Sequence, residues 1–111
     1  MSSKISYSDF EKLDIRVGKI LQVDNHPNAS KLYILKVDLS EEKPRQIVAG
    51  LKPYYKPSEL LNKKAIFITN LEPKIIKGVE SNGMILAADN SEGKVIFIAP
   101  ENNIDVGSKI R

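Results

Sequence analysis

Apolar residues recur along this chain mainly with a period of two, interrupted by short polar breaks. "DIRVGKILQVD" sets Ile15, Val17, Leu21 and Val23 on one face of a strand, with Gly18 in the middle, where a strand bends or bulges. One long, curled strand is expected there. "LYILKVDL" repeats the pattern with Tyr33, Leu35, Val37 and Leu39 on one side, and "QIVAGL" is a shorter strand stopped by Gly50 and then Pro53. The intervening "HPNASK" (26–31) is a turn, because Pro27 fixes its own φ and Asn and Ser can bond their own backbone; "SEEKPR" is the next turn. "KAIFITNL" (64–71), "GMILAA" (83–88) and "KVIFIAP" (94–100) are further β-rich runs, the last two joined through "DNSEGK", whose Gly93 suits a hairpin. The tail "NNIDVGSKIR" predicts a turn and a last strand.

Two segments depart from this period. In "SDFEKL", Ser8 is followed three residues later by Glu11, the spacing of a capping box, and Phe10 and Leu13 would pin the short helix to the core. In "YYKPSELLNKK", Pro57 suits a first helical turn, and Leu60 and Leu61 can face inward. No repeat or low-complexity segment interrupts the series. Five or more short strands with two short helices predict an all-β chain, a small closed sheet of the OB-fold kind: a five-stranded Greek-key barrel with a C-terminal extension. A sandwich would usually need more strands. With 111 residues the chain makes one domain, 1–111, with a helix in 1–13 and the barrel and its extension in 14–111. Ile66, Phe67 and Ile68, like Ile96, Phe97 and Ile98, are apolar on both strand faces, so a helix or a second subunit is expected to cover the barrel's outside.

Composition narrows the chemistry. There is no cysteine, so disulfides, thiolate catalysis and cysteine-ligated metal are out, and the lack of a signal-like N-terminus or a membrane-length apolar run points to the cytoplasm. The only histidine, His26, has no second histidine with which to build a metal site and reads as a surface turn residue. Ser81 stands in "VESNG", outside any nucleophile-elbow frame, and "KGVESNG" lacks the P-loop spacing. "NAS" (28–30) matches a glycosylation acceptor but, without a secretion signal, marks only a turn. Neither catalysis nor a metal or cofactor is expected. Net charge is +3, yet it is segregated: Lys43 to Lys77 carries eight basic residues against Glu59 and Glu72, while both flanks are slightly acidic. Such a patch is either a solvated lysine surface or a polyanion-binding face.

The ordered series "DIRVGKI", "HPNASKLY", "PRQIVAGL", "NLEPKIIKGVESNGM" and "VGSKIR" resembles the tRNA-binding domain family over about Asp14 to Arg111. That family occurs as the C-terminal domain of many methionyl-tRNA synthetases, in cytokine-like (EMAP-II-like) synthetase-complex factors, as stand-alone tRNA-binding proteins and as CsaA-like secretion chaperones. The resemblance implies an OB-fold that binds the tRNA elbow by shape and charge, commonly as a homodimer and without a cofactor. It also implies the site. Lys31 closes the "HPNASKL" loop, Arg45 opens the third strand, and Asn70, Lys74, Lys77, Ser81 and Met84 follow the signature segment. Lys74 and Lys77 would meet phosphates, and Gly78 and Gly83 would let the backbone turn tightly. Asn70 and Ser81 would either hydrogen-bond the nucleic acid or cap a loop; Met84 would either offer an apolar contact or fill the core. Ser30 and Asn82 depart from the family, where an acidic residue and a glutamine are frequent. Three readings remain open: a non-catalytic tRNA-binding module, alone or as a separate subunit of methionyl-tRNA synthetase; a chaperone for unfolded polypeptide; and a generic single-strand nucleic-acid module. No HIGH-like or KMSKS-like signature is present, so aminoacylation would fall to a partner.

Overall fold

The computed structural model describes residues 3–111, so residues 1 and 2 of the expected N-terminal segment lie outside it. In chain order the elements are α1 (Tyr7–Glu11), β1 (Ile15–Asn25), β2 (Tyr33–Asp38), β3 (Arg45–Ala49), α2 (Pro57–Leu60), β4 (Lys64–Ile68), β5 (Lys74–Ile76), β6 (Val79–Ser81), β7 (Met84–Ile85), β8 (Ala87–Asp89) and β9 (Val95–Phe97). Five of them form one antiparallel sheet in the order β3-β2-β1-β4-β7, and β5–β6 and β8–β9 are separate hairpins. The sheet curls into a nearly closed barrel of OB type, as the short alternating strands predict. Closure is made where Asn82 N donates to Gln46 O at 2.8 Å and Val48 N to Ser81 Oγ at 3.0 Å.

β1 changes partner along its length. Ile15 to Lys19 pair with β4, whereas Lys19 to Asn25 pair with β2. The strand must therefore curl, and a register shift between Ile20 and Gln22 supplies a bulge that tightens the bend. The bulge also corrects the inward face: Ile20 is buried, and Leu21 is 40% exposed. Gly18 lies away from the bulge. A Cβ there would stand 2.7 Å from Phe67 Cδ1 and 2.8 Å from Val37 Cγ1, so this glycine is needed for close approach across the core. β2 keeps the predicted period, with Tyr33, Leu35 and Val37, and Leu39 beyond its end, all buried.

α2 starts on Pro57, and Glu59 Oε1 accepts from Lys56 N at 2.7 Å. Leu60 enters the core, but Leu61 is already extended (φ −60°, ψ 131°) and points out, contrary to expectation. At α1 the N-cap is Ser6, whose Oγ accepts from Asp9 N at 3.1 Å; Ser8 bonds only the Ser6 hydroxyl. Phe10 packs inward, whereas Leu13 is largely exposed. The "GMILAA" run breaks at Leu86, which bonds Ile66 O and Ile98 N, so it yields β7 and β8 rather than one strand.

The outer apolar cluster of Ile15, Val17 and Ile66 is covered from within the chain by Phe10, Ile68, Leu86 and Ile110. The tail pairs with the stretch of β1 that β2 leaves open: Gly107 N donates to Val17 O, Val17 N to Ser108 O and Ile110 N to Ile15 O, at 2.8–2.9 Å. Among the described residues no helix is long and apolar enough to cross a membrane.

Gly18→Ala should destabilise the protein by about 1–3 kcal/mol, because Phe67 and Val37 can yield only by disturbing the core. A lower urea midpoint at unchanged slope is the expected result; an unchanged midpoint would show that the close approach is not limiting.

Candidate nucleic-acid interface

An OB barrel offers ligands the outward face of its second and third strands and the connections that rim it, β1–β2 and the one between the fourth and fifth barrel strands. Here these are residues 26–32 and 69–83. The second lies between two of the β-rich runs, and no strand is expected within it. It instead folds into the β5–β6 hairpin, with Lys74 opposite Ser81, Ile75 opposite Glu80 and Ile76 opposite Val79. Lys77 and Gly78 form its turn, both at positive φ (51° and 87°), the pattern of a two-residue hairpin turn of the mirror-image kind.

Side chains of the first connection hold this turn. His26, expected on the surface, is buried: its Nδ1 accepts from Asn28 N at 3.0 Å, which leaves the ring proton on Nε2, donated to Ile76 O at 2.9 Å. Asn28 Nδ2 donates to Lys77 O at 3.2 Å. Lys31 and Lys77 therefore line one cleft of about 350 Å³, together with Asn28, Ser30 and Leu32. Neither His26 nor Asn28 was singled out from the sequence as a site residue. The only available signal was their place in the turn that rims an OB barrel's binding face.

The other expected residues divide by what their polar atoms already touch. Lys74 and Met84 are exposed, so Met84 does not fill the core. Ser81 is buried, with its Oγ accepting from Val48 N and donating to Gly83 O at 3.2 Å. Asn70 Oδ1 accepts from Asp14 N at 2.8 Å and its Nδ2 donates to Lys12 O at 2.7 Å, which ties the segment leading into β1 to the end of β4. Arg45 is held by Glu41, with Nε and Nη2 each 2.8 Å from a carboxylate oxygen, while Nη1 donates to Thr69 O. Ser81, Asn70 and Arg45 thus shape the rim, while Lys31, Lys74, Lys77 and Met84 are free to touch a partner.

One further lysine belongs with them. Lys36, on the outward face of β2, donates to Gln46 Oε1 at 2.9 Å, and Gln46 Nε2 donates to Glu80 O at 2.9 Å, so an amide bridge runs from the strand face to the hairpin. Among the described residues none of Lys31, Lys36, Lys74 and Lys77 is in an ion pair. Their charge is left for an outside partner. A larger depression of about 780 Å³ lies against α2, between Tyr55, Lys63, Phe97 and residues 99–103, and holds none of the expected contacts. The described residues contain no group of three or more His, Asp or Glu side chains able to hold a metal.

The family model described as "Putative tRNA binding domain" matches residues 15–109. The methionine–tRNA ligase of Pyrococcus horikoshii is 57% identical over 107 residues, covering 96% of this chain and 14% of that one. The chain thus spans about 14% of the length of that curated relative. Of the solved structures, a MetRS-related protein from Pyrococcus horikoshii matches with a TM-score of 0.90 at 34% identity, over 99% of this chain and 100% of that one. The CsaA chaperone protein from Picrophilus torridus matches with a TM-score of 0.88 at 35% identity, over 97% and 100%.

Ser81→Ala would leave the buried Val48 amide without its acceptor and should cost about 1–3 kcal/mol of stability. Asn70→Ala, on an exposed side chain, should cost less than that. Chemical denaturation of the two variants side by side checks the order, and equal midpoints would refute the internal role of Ser81.

Proposed function

The chain belongs to the tRNA-binding domain family, and from that premise we propose that it is a non-catalytic module that grips the elbow of folded tRNA between its two rim connections. The observation that carries this reading is the tie between the 26–31 turn and the β5–β6 turn, which presents Lys31 and Lys77 in one cleft, with Lys74 at the base of the same hairpin and Lys36 linked to it through Gln46; among the described residues none of the four is in an ion pair. Each lysine can neutralise a phosphate and release condensed counterions, which favours any polyanion. Selection for folded tRNA comes from shape: cations set on a rigid rim match phosphates of fixed spacing, and Met84 offers an apolar surface to an unstacked base. Arg45, Asn70 and Ser81 act by holding that rim.

In the cell the module assists methionyl-tRNA synthetase, as a separate subunit or as a stand-alone carrier of tRNA in the cytoplasm. It works as a homodimer with C2 symmetry, paired through α1 and the segment from Val95 to Ile110, where Tyr7, Ile96 and Ile98 are exposed. Similarity to the CsaA chaperone protein, together with these exposed apolar side chains, supports a second reading: a chaperone that binds unfolded polypeptide.

Lys74→Ala and Lys77→Ala should each weaken every tRNA about equally and reduce the slope of log K against log salt by about one unit. Lys4→Ala and Lys12→Ala are the controls: Lys12 pairs with Asp9 and touches Asn70 only through its backbone carbonyl, which the substitution keeps. If the controls weaken binding as much, or unstructured RNA competes as well as folded tRNA, the elbow model is wrong; displacement of tRNA by unfolded polypeptide alone would favour the chaperone. Sedimentation at micromolar concentration checks assembly, and a monomer there would remove the dimer.

A further inference from the structure

We propose that His26 is a positioning residue for the tRNA site: its ring pins the tip of the β5–β6 hairpin and so decides where Lys77 stands relative to Lys31. The proposal rests on the tRNA reading for its consequence and on the hairpin's geometry for its cause. The hairpin has three residue pairs, and Ile75 is 63% exposed, so it buries too little to fix itself; a lone two-stranded hairpin is marginal in water. It is anchored at both ends. At its base Ser81 and Gln46 tie β6 to β3. At its tip the side-chain ties are His26 Nε2 to Ile76 O and Asn28 Nδ2 to Lys77 O.

Lys77 makes the tip anchor necessary. It occupies the left-handed region at φ 51°, where a residue with a Cβ other than Asn or Asp is disfavoured. A free tip would relax from that conformation and carry the ammonium group away from the cleft. The lysine would keep its charge but lose its place, so its phosphate contact, and the counterion release that goes with it, would be lost from the complex. His26 is suited to the task because one ring bonds both sides of the junction: Nδ1 secures its own turn through Asn28 N, and Nε2 reaches a carbonyl 50 residues away.

The two bonds can be separated by substitution. In His26→Gln the longer side chain can place its amide nitrogen near the Nε2 position and keep the bond to Ile76 O, whereas the shorter amide of His26→Asn can replace only Nδ1. His26→Gln should therefore retain tRNA affinity within about twofold of the parent. His26→Asn should lower the salt slope by about one unit, as Lys77→Ala does, and adding Lys77→Ala to it should cause no further loss. In the free protein the backbone order parameter of Gly78 should fall in His26→Asn and hold in His26→Gln. Asn28→Ala removes the other side-chain tie and leaves both His26 bonds in place, so it should keep the salt slope and the order parameter of Gly78, and it tests the proposal should His26→Asn fail to fold. Additive losses of His26→Asn and Lys77→Ala, an unchanged order parameter at Gly78 in His26→Asn, or a fall of both slope and order parameter in Asn28→Ala, overturn the proposal. If Lys77→Ala alone leaves tRNA binding intact, the tRNA reading of this turn falls, while the order parameter still decides whether His26 holds the tip.

Discussion

A five-stranded barrel closes only if one strand can serve a neighbour on each side while curling through the wall, and β1 is that strand here. Its switch from β4 to β2 at Lys19 requires a sharp bend, and the bend brings its backbone so close to Phe67 and Val37 that position 18 has no room for a side chain. The rest of the architecture depends on that approach. Phe67, fully buried, fills the barrel centre against Leu35, Val37 and Ile47, while Leu60 of α2 joins the same core. The register of β2 on β1 places the 26–31 turn at one end of the barrel. The register of β4 delivers the 69–83 connection to meet it.

Charge is divided between two kinds of cation according to their chemistry. Two of the three guanidinium groups are spent internally: Arg16 bonds Asp14 and Gly107 O, and Arg45 bonds Glu41 and Thr69 O, each using its planar fork to join a carboxylate and a backbone carbonyl. The ammonium groups on the rim are left without carboxylate partners among the described residues. Rigid forks brace the loops, and flexible point charges are left facing outward. Such an arrangement suits recognition by the spacing of phosphates more than by base identity, since a lysine on a phosphate carries no sequence information.

Features set by strict period two were legible in the sequence. Tyr33, Leu35, Val37 and Leu39 face inward as read, and the barrel class follows from the number and length of such runs. Errors fall where the period changes phase. Leu21 was misplaced by the bulge beside it, Leu61 by the end of α2 one residue earlier, and the helix cap by the choice of Ser8 over Ser6, two residues of one type within a turn of each other. For the site, the family resemblance pointed to residues on both rim connections but not to which of them are engaged inside the fold. Nothing near Ser81 in sequence announces the Val48 amide, and nothing near His26 announces the Ile76 carbonyl, because both partners arrive through folding. A proline-containing turn also disguises a buried histidine, since turns are ordinarily solvated.

The pairing of the tail with β1 has a consequence for how the chain can fold during synthesis. Arg16 Nη1 donates to the carbonyl of Gly107, 91 positions later, and the edge of β1 from Ile15 to Val17 is covered by residues 107–110. Chains emerge from the ribosome N-terminus first, so this apolar edge leaves the tunnel well before the residues that pair with it. Until residues 107–110 are released, the nascent barrel exposes an unpaired strand edge beside Val17 and Ile66, the arrangement that most readily captures another chain. The barrel's vulnerable interval is therefore the time between the emergence of β1 and that of residues 107–110, and its length depends on how fast the intervening chain is synthesised.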